Sequence, residues 1–261
     1  MRVISIFICV FLCGSLSEAC AEDITPSFSQ KLDIQVRYDN RSNRPSREQY
    51  RLRYYPSLAL TSTWSVNSFI VTGDDFSSSH NTFGSDTTDY LYARRLYLRH
   101  ETNAGKTELG IIPTYKGRVS STGLSKDGWI TGIRHVRKLQ NNTALEIVVG
   151  QLANAEASEA FNVGEEDEYF EIEYSAKMGG RHSYEASFER MLNGTFARAE
   201  YRFRINEEDT AFVELVQRTD ESAAKIVVGT SGEFAASAFN TSYPIEYFAY
   251  YSYIDSSFGE R

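Results

Sequence analysis

The sequence predicts an all-β chain: an antiparallel transmembrane β-barrel of about 14 strands, with 12 as the alternative count, long extracellular loops and short periplasmic turns. Three observations lead there. Apolar and polar residues alternate with period two over long stretches, the mark of strands with one apolar face. The connections between these stretches switch between long polar segments and tight turns. No stretch after residue 21 reaches the roughly 18 apolar residues of a membrane helix.

The N-terminus reads as a targeting segment. Met1-Arg2 is a short basic start, VISIFICVFLCGSL is an apolar run, and Ala19-Cys20-Ala21 is a small-residue cleavage signal. Residues 1–21 are therefore expected to be a removed signal peptide, with 22–261 a single barrel domain. The competing reading, a lipoprotein anchored through Cys20, has Ser17 and Glu18 where small apolar residues are expected. Cys9, Cys13 and Cys20 all lie in this segment, so the mature chain is expected to have no disulfide, thiol nucleophile or Cys-ligated zinc.

Four runs carry the alternation most cleanly. KLDIQVRYD opposes Leu32, Ile34, Val36 and Tyr38 to Lys31, Asp33, Gln35 and Arg37. QYRLRYYPSLAL opposes Tyr50, Leu52, Tyr54, Leu58 and Leu60 to Arg51, Arg53 and Ser57. EYFEIEYS sets Phe170, Ile172 and Tyr174 against Glu171 and Glu173. FARAEYRFRI sets Ala197, Ala199, Tyr201, Phe203 and Ile205 against Arg198, Glu200, Arg202 and Arg204. Tyrosine and phenylalanine, 17 and 16 of them, suit such strands better than helices.

Connections are expected at 39–48, 61–63, 73–89, 102–106, 116–128, 138–143, 153–167, 178–181, 191–195, 206–209, 218–223, 229–232 and 240–244. Through residue 181 long and short alternate. GDDFSSSHNTFGSDTTD and LANAEASEAFNVGEED are long and polar; ETNAGK and MGGR are hairpin turns with Asn or Gly where positive φ is needed. An even strand count places both termini on the periplasmic side.

Charge follows the faces. In YLYARRLYLRH, residues 90–100, Arg95, Tyr97 and Arg99 share a parity opposite to Leu96 and Leu98. A barrel puts charge on its lumen side, so Arg37, Arg51, Arg53, Arg95, Arg99, Glu171, Glu173, Arg198, Glu200 and Arg202 are the expected pore-lining residues. Arg94 breaks the parity and must snorkel, bulge or lie near an interface. Residues 22–141 carry 17 basic and 12 acidic side chains, and 142–261 carry 9 and 22. One wall is thus expected to be basic and the other acidic, either as a transverse field in a pore or as paired walls filling a closed lumen. An overall charge of −8 argues against nucleic acid as a partner.

Chemistry is sparse. G-x-x-x-x-G-K-[ST], G-x-G-x-x-G and H-E-x-x-H do not occur, and His80, His100, His135 and His182 are scattered. No cofactor or enzymatic activity is expected. Asp74-Asp75 and Glu165-Glu166-Asp167 could hold Ca²⁺ or bridge to lipopolysaccharide, though solvated loop charge is the commoner role. Asn141-Asn142-Thr143 and Asn193-Gly194-Thr195 match a glycosylation pattern but read better as turns.

The mature region resembles bacterial outer-membrane porin-like proteins in its alternating cysteine-free strands and aromatic strand ends. LYARRLYLRHETNAGKTELGIIPTYKG, 91–117, is similar to the strand-turn-strand of porin-like families in which a basic strand precedes a Gly-containing apolar one. Such barrels typically end on an aromatic residue, whereas this chain ends FGER. Phe258, with Ile254, Tyr250 and Phe248 at matching parity, could serve that role with a three-residue tail; the alternative is that the closing strand is missing and the barrel is incomplete or needs a partner.

The resemblance implies a Gram-negative outer-membrane channel in contact with lipid and lipopolysaccharide. It would pass small hydrophilic solutes, anionic ones such as acidic sugars if the basic half selects, with oligomerisation left open. The rivals are a soluble secreted β-sandwich binding carbohydrate, a plugged structural or adhesive barrel, and an outer-membrane hydrolase.

Overall fold

The computed structural model describes residues 26–41, 44–73, 79–84, 90–114, 127–152, 156–162, 168–191, 194–235 and 244–258. The expected signal peptide, the acidic clusters at 74–75 and 165–167, and Asn193 lie outside the described residues.

Fourteen strands form one antiparallel sheet. They are β1 (Ser27–Arg41), β2 (Arg44–Ala59), β3 (Trp64–Thr72), β4 (Asn81–Thr82), β5 (Leu91–Thr102), β6 (Gly105–Pro113) and β7 (Trp129–Lys138). The second half holds β8 (Thr143–Gln151), β9 (Tyr169–Met178), β10 (His182–Met191), β11 (Gly194–Arg204), β12 (Thr210–Arg218), β13 (Ala223–Ala235) and β14 (Pro244–Ile254). A 3₁₀ turn, Ala157–Glu159, lies in the β8–β9 connection. Each strand pairs with its sequence neighbour from β1 to β14, except that β4 lies off this path and pairs with β2.

The tight turns use the residues their geometry demands. Asn141 and Asn142, at φ 58° and 57°, turn β7 into β8, and Gly179 and Gly180, at 57° and 73°, turn β9 into β10. The strand ends that flank the long connections, Thr72 and Leu91, Pro113 and Trp129, Gly150 and Tyr169, all lie at the opposite end, the loop end. Two expected connections are strand instead. Residues 39–48 belong mostly to a long β1–β2 hairpin, extended by the Arg47–Asp39 ion pair at 3.0 Å. Residues 229–232 lie inside β13, whose pairing with both β12 and β14 continues through them.

Because β4 is only two residues long, thirteen strands traverse the sheet and its two ends point the same way. Ser27 starts β1 level with Ala59 at the turn end, whereas Ile254 ends β14 level with Lys225 at the loop end. The termini of the sheet therefore lie at opposite ends, not together as an even count of traversing strands would require. Among the described residues no pairing joins β1 to β14.

The two faces invert the order of a soluble protein. Leu98, Leu109, Ile133, Val149 and Phe170 run in register across β5–β9 on the outer face. Large apolar side chains on this face are exposed, among them Ile34 at 66%, Leu109 and Ile172. On the inner face Glu108, Arg134, Glu171, Arg198, Glu200 and Glu214 are buried. An apolar exterior around a charged interior is the polarity of a lipid-embedded barrel.

Arg94 is accommodated by a bulge. Phe69 pairs with Arg95 and Ile70 with Ala93, so Arg94 is the extra residue. It turns into the protein, fully buried, where Nη2 donates to the Gly73 carbonyl at 2.5 Å and the guanidinium stacks 5.5 Å from the Trp129 ring. The parity break is thus a register device that keeps Ala93 and Leu96 on the outer face.

Near the loop end the inner face becomes apolar. Ile112, Ile130, Val148, Tyr169, Met191, Phe196, Val216 and Ala223 form one cluster across β6–β13, and Phe258 packs into it. Phe258 lies beyond β14, its ring 5.8 Å from that of Phe196, with its carbonyl accepting from Arg218. It is not a strand residue facing lipid. Phe248, Tyr250 and Ile254 do share one parity, opposite Ser231, Gly229 and Lys225, and it is the inner one.

Candidate channel lining

The basic wall is built by β1, β2 and β5. Register places Asp33 beside Arg53, Gln35 beside Arg51, and Arg37 beside Gln49, all on the inner face. Arg37 Nε donates to Gln49 Oε1 at 2.8 Å. Across β3, Arg95 and Arg99 continue the wall. Arg99 pairs with Glu108 at 2.7 Å and lies over the Tyr97 ring, and Arg95 stacks 4.5 Å from Phe69. Arg95 itself is buried, with Nε donating to the Gly128 carbonyl at 2.8 Å.

The segment leading into β7 leans over this wall. Asp127 Oδ2 accepts from Arg53 Nη2 at 2.7 Å and from Ser79 Oγ at 2.5 Å. Four strand intervals separate β2 from β7 along the sheet, about 19 Å. Two facing side chains cannot span that arc, so Asp127 must leave the wall and hang across the inner face. Burial pushes its carboxyl up, but the hydrogen bonds from Arg53 and Ser79 and the charges of Arg53 and Arg51 prevail and hold it below the usual carboxylate range. His80 lies alongside, its Nε2 3.2 Å from Gln35 Oε1. Burial, then Arg37, Arg51 and Arg53, depress its imidazole to about 4.

The acidic wall is built by β8–β12. Arg198 sits at its centre and meets four carboxylates: Glu200 at 2.6 Å, Glu214 at 2.7 Å, Glu185 at 3.3 Å and Glu173 at 3.5 Å. Arg202 pairs with Glu200 and with Glu185, the latter at 3.2 Å. Toward the loop end Glu171 faces Glu189 across the β9–β10 ladder and accepts from the Tyr169 hydroxyl at 2.5 Å. Between the walls Arg134 links Glu108 at 3.0 Å to Glu146 at 2.9 Å.

All ten residues picked from strand parity thus lie on the inner face. The structure gathers Glu173, Arg198, Glu200 and Arg202 into one network and sets Arg37, Arg51 and Arg53 side by side on β1 and β2. Glu171 stands one row away from the network, and Arg95 and Arg99 stand across β3 from the three arginines. Access to water varies along each wall: the side chains of Arg99 and Arg53 are 29% and 16% exposed, and those of Arg202 and Arg198 are 20% and 2%.

Parity reasoning missed Glu108, Arg134, Glu185 and Glu214, although the same period-two count carried into GKTELGIIP, WITGIRHVRK, HSYEASFERM and AFVELVQR finds them. Asp127 had no such signal, because it lies outside the strands and its partner Arg53 is 74 residues away.

The other histidines serve local contacts. His100 stacks on Trp64, His135 Nδ1 lies 2.9 Å from Thr107 Oγ1, and His182 Nδ1 lies 2.6 Å from the Tyr201 hydroxyl.

No protein-family model matches the chain, and no curated protein matches it. Solved structures do. A triple mutant of the porin from Rhodopseudomonas blastica superposes with a TM-score of 0.59 at 11% identity, covering 88% of this chain and 85% of the porin. Another mutant of the same porin gives 0.58 at 12% identity with the same coverage. With its single antiparallel sheet, apolar exterior and charged interior, the chain has the fold of the porin β-barrels.

Proposed function

We propose that the protein is a Gram-negative outer-membrane channel for small hydrophilic solutes that favours anions, acidic sugars among them. Residues 1–21 would direct export, and 22–261 would form the barrel, with its apolar exterior against lipid and its loop end near lipopolysaccharide. In this reading the protein is a conduit without a catalytic role.

The observation that carries the preference is that arginines hold the carboxylates of the acidic wall in ion pairs, while reachable arginines line the other wall. Arg37, Arg51, Arg53 and Arg99 are half-buried, so water and a passing solute can reach them. Glu171, Glu200 and Glu214 are buried, and Glu200 and Glu214, with the half-buried Glu173 and Glu185, are engaged in ion pairs by Arg198 and Arg202. A solute therefore meets arginine on one wall and carboxylates already paired with arginine on the other. Guanidinium groups bind carboxylates in a planar two-bond geometry, which suits sugar acids.

The test is a reversal potential in a KCl gradient across a planar bilayer holding the refolded protein. Anion selectivity is expected, shifting toward cations in Arg51→Glu and Arg53→Glu, with sugar acids reducing chloride current more than neutral sugars do. A cation-selective wild type would overturn the preference. Absence of conductance would instead favour a plugged structural barrel, the reading supported by the apolar cluster around Phe258 at the loop end.

A further inference from the structure

We infer that the turn end of the lumen carries a second anion station, formed by Lys138, Lys177, Arg181 and Arg204. The inference rests on the channel reading above. Register places three of these side chains on the inner face. Lys138 pairs with Ala144, which pairs with Ser175 and, through it, with Glu185 of the acidic network. Lys177 pairs with Ser183, the partner of Arg202, and Arg204 is the next inner position on β11. Arg181 sits in the β9–β10 turn, where its carbonyl accepts from the Arg204 amide at 2.7 Å. Arg137, by contrast, has outer parity with Ile133 and is not part of the set.

All four side chains are exposed. The turns next to them, LQNNT and MGGRH, contain no carboxylate. The nearest inner-face acids are already engaged: Glu146 with Arg134, and Glu185 and Glu200 with Arg198 and Arg202. The acidic half of the barrel thus ends in a basic mouth over β7–β11, bounded on one side by Glu207, Glu208 and Asp209 of the next turn. Asp209 is itself bound by Asn206 and Tyr247.

Such a rim attracts rather than grips. Lys138, Lys177 and Arg204 stand on alternate strands, each about 10 Å from the next, roughly one Debye length at 0.1 M salt, so the fields of successive cations overlap and merge further as salt falls. They raise the local concentration of small carboxylates and halides at the turn-end mouth. The ligand class is a small hydrated anion in transit between this rim and the arginine wall. A lipid phosphate is the wrong occupant for Lys138, Lys177 and Arg204, because their parity points into the lumen.

The test is single-channel conductance with KCl lowered to about 0.03 M on one side at a time, where screening is weak. Wild type is compared with Lys138→Glu/Lys177→Glu/Arg204→Glu. The triple variant is expected to lose about twofold or more of the anion current when the turn-end bath is dilute. It should change little when the loop-end bath is dilute, and the difference should vanish near 1 M salt.

Lys177→Cys, modified after insertion by an anionic thiosulfonate added to the turn-end bath, gives the same answer without a folding penalty. Residues 22–261 otherwise contain no cysteine. An equal effect from either side, or none, would overturn the station while wild-type anion selectivity kept the channel reading intact. A wild type without anion conductance would remove both.

Discussion

Replacing Arg198 by methionine should unfold the barrel more readily than any loss of an exposed ion pair. The substitution keeps much of the side-chain length and removes the charge that four carboxylates share. Arg202 can still serve Glu185 and Glu200. Glu214 cannot be rescued that way: one of its oxygens bonds to Arg198 Nε, and the other is buried without a hydrogen-bond partner. Breaking a buried ion pair from one side costs about 3–5 kcal/mol, roughly two to three and a half decades in the unfolding equilibrium. The Arg47–Asp39 pair, with Arg47 40% exposed, sets the control scale. Exposed pairs contribute about 0–1 kcal/mol.

The assay is urea unfolding from lipid vesicles followed by the fluorescence of Trp64 and Trp129, comparing Arg198→Met with Arg47→Ala. Adding Glu214→Leu to Arg198→Met should restore part of the loss, since an apolar pair in a dry site is often as stable as the ions it replaces. If Arg198→Met costs less than about 1 kcal/mol, or if the second substitution deepens the loss, the dry-network reasoning is wrong.

Facing can be tested on β9: Ile172→Arg should cost about 2–4 kcal/mol in the same unfolding assay, as a charge against lipid does, while Ser175→Arg on the inner face beside Glu185 should cost far less. His80 has a folded pKa below its free value, so the folded state resists its protonation. The latch of residues 79–84 onto β2 should therefore be stable above about pH 6.5 and weaken progressively as pH falls toward 4. Hydrogen exchange at Asn81 and Phe83 reads this out, and the pH dependence should disappear in His80→Gln. Gly132→Val should block folding or lower the folded yield on a heat-modifiability gel, because a Cβ there would lie 2.1 Å from the Val149 carbonyl oxygen. Gly84→Ala, with open space around it and only a φ of +74° to strain it, should fold normally.

Much of the fold is legible in short stretches. KLDIQVRYD and EYFEIEYS declare their two faces because side chains alternate across any strand, whatever it pairs with. The charged face of every such run turns inward, and that follows from one premise, an apolar exterior. The Asn-Asn and Gly-Gly turns are equally local, since their backbone angles suit few other residues. The β1–β2 hairpin is less legible: residues 39–48 look like a polar loop until Asp39 and Arg47 are seen opposite each other. Residues 229–232, with Gly229, Gly232 and two small polar residues, read as a turn by composition. Yet Gly229 sits in the strand because a Cβ there would meet the Phe212 ring at 2.5 Å.

The sequence by itself determined the period, the parity and therefore the identity of the inner-face residues, because these depend only on a residue's position within its own strand. It also located the anomaly at Arg94 and named a bulge among its outcomes. The tertiary structure alone decided which inner residues are wet and which are dry. Arg53 and Arg198 have the same parity and the same chemistry. Arg198 is enclosed by carboxylates from three neighbouring strands, and Arg53 meets Asp127 across the face of the sheet. Arg198 finds its carboxylates within 25 residues on nearby strands and Arg53 finds Asp127 74 residues away, and only the folded sheet decides which surroundings each one gets.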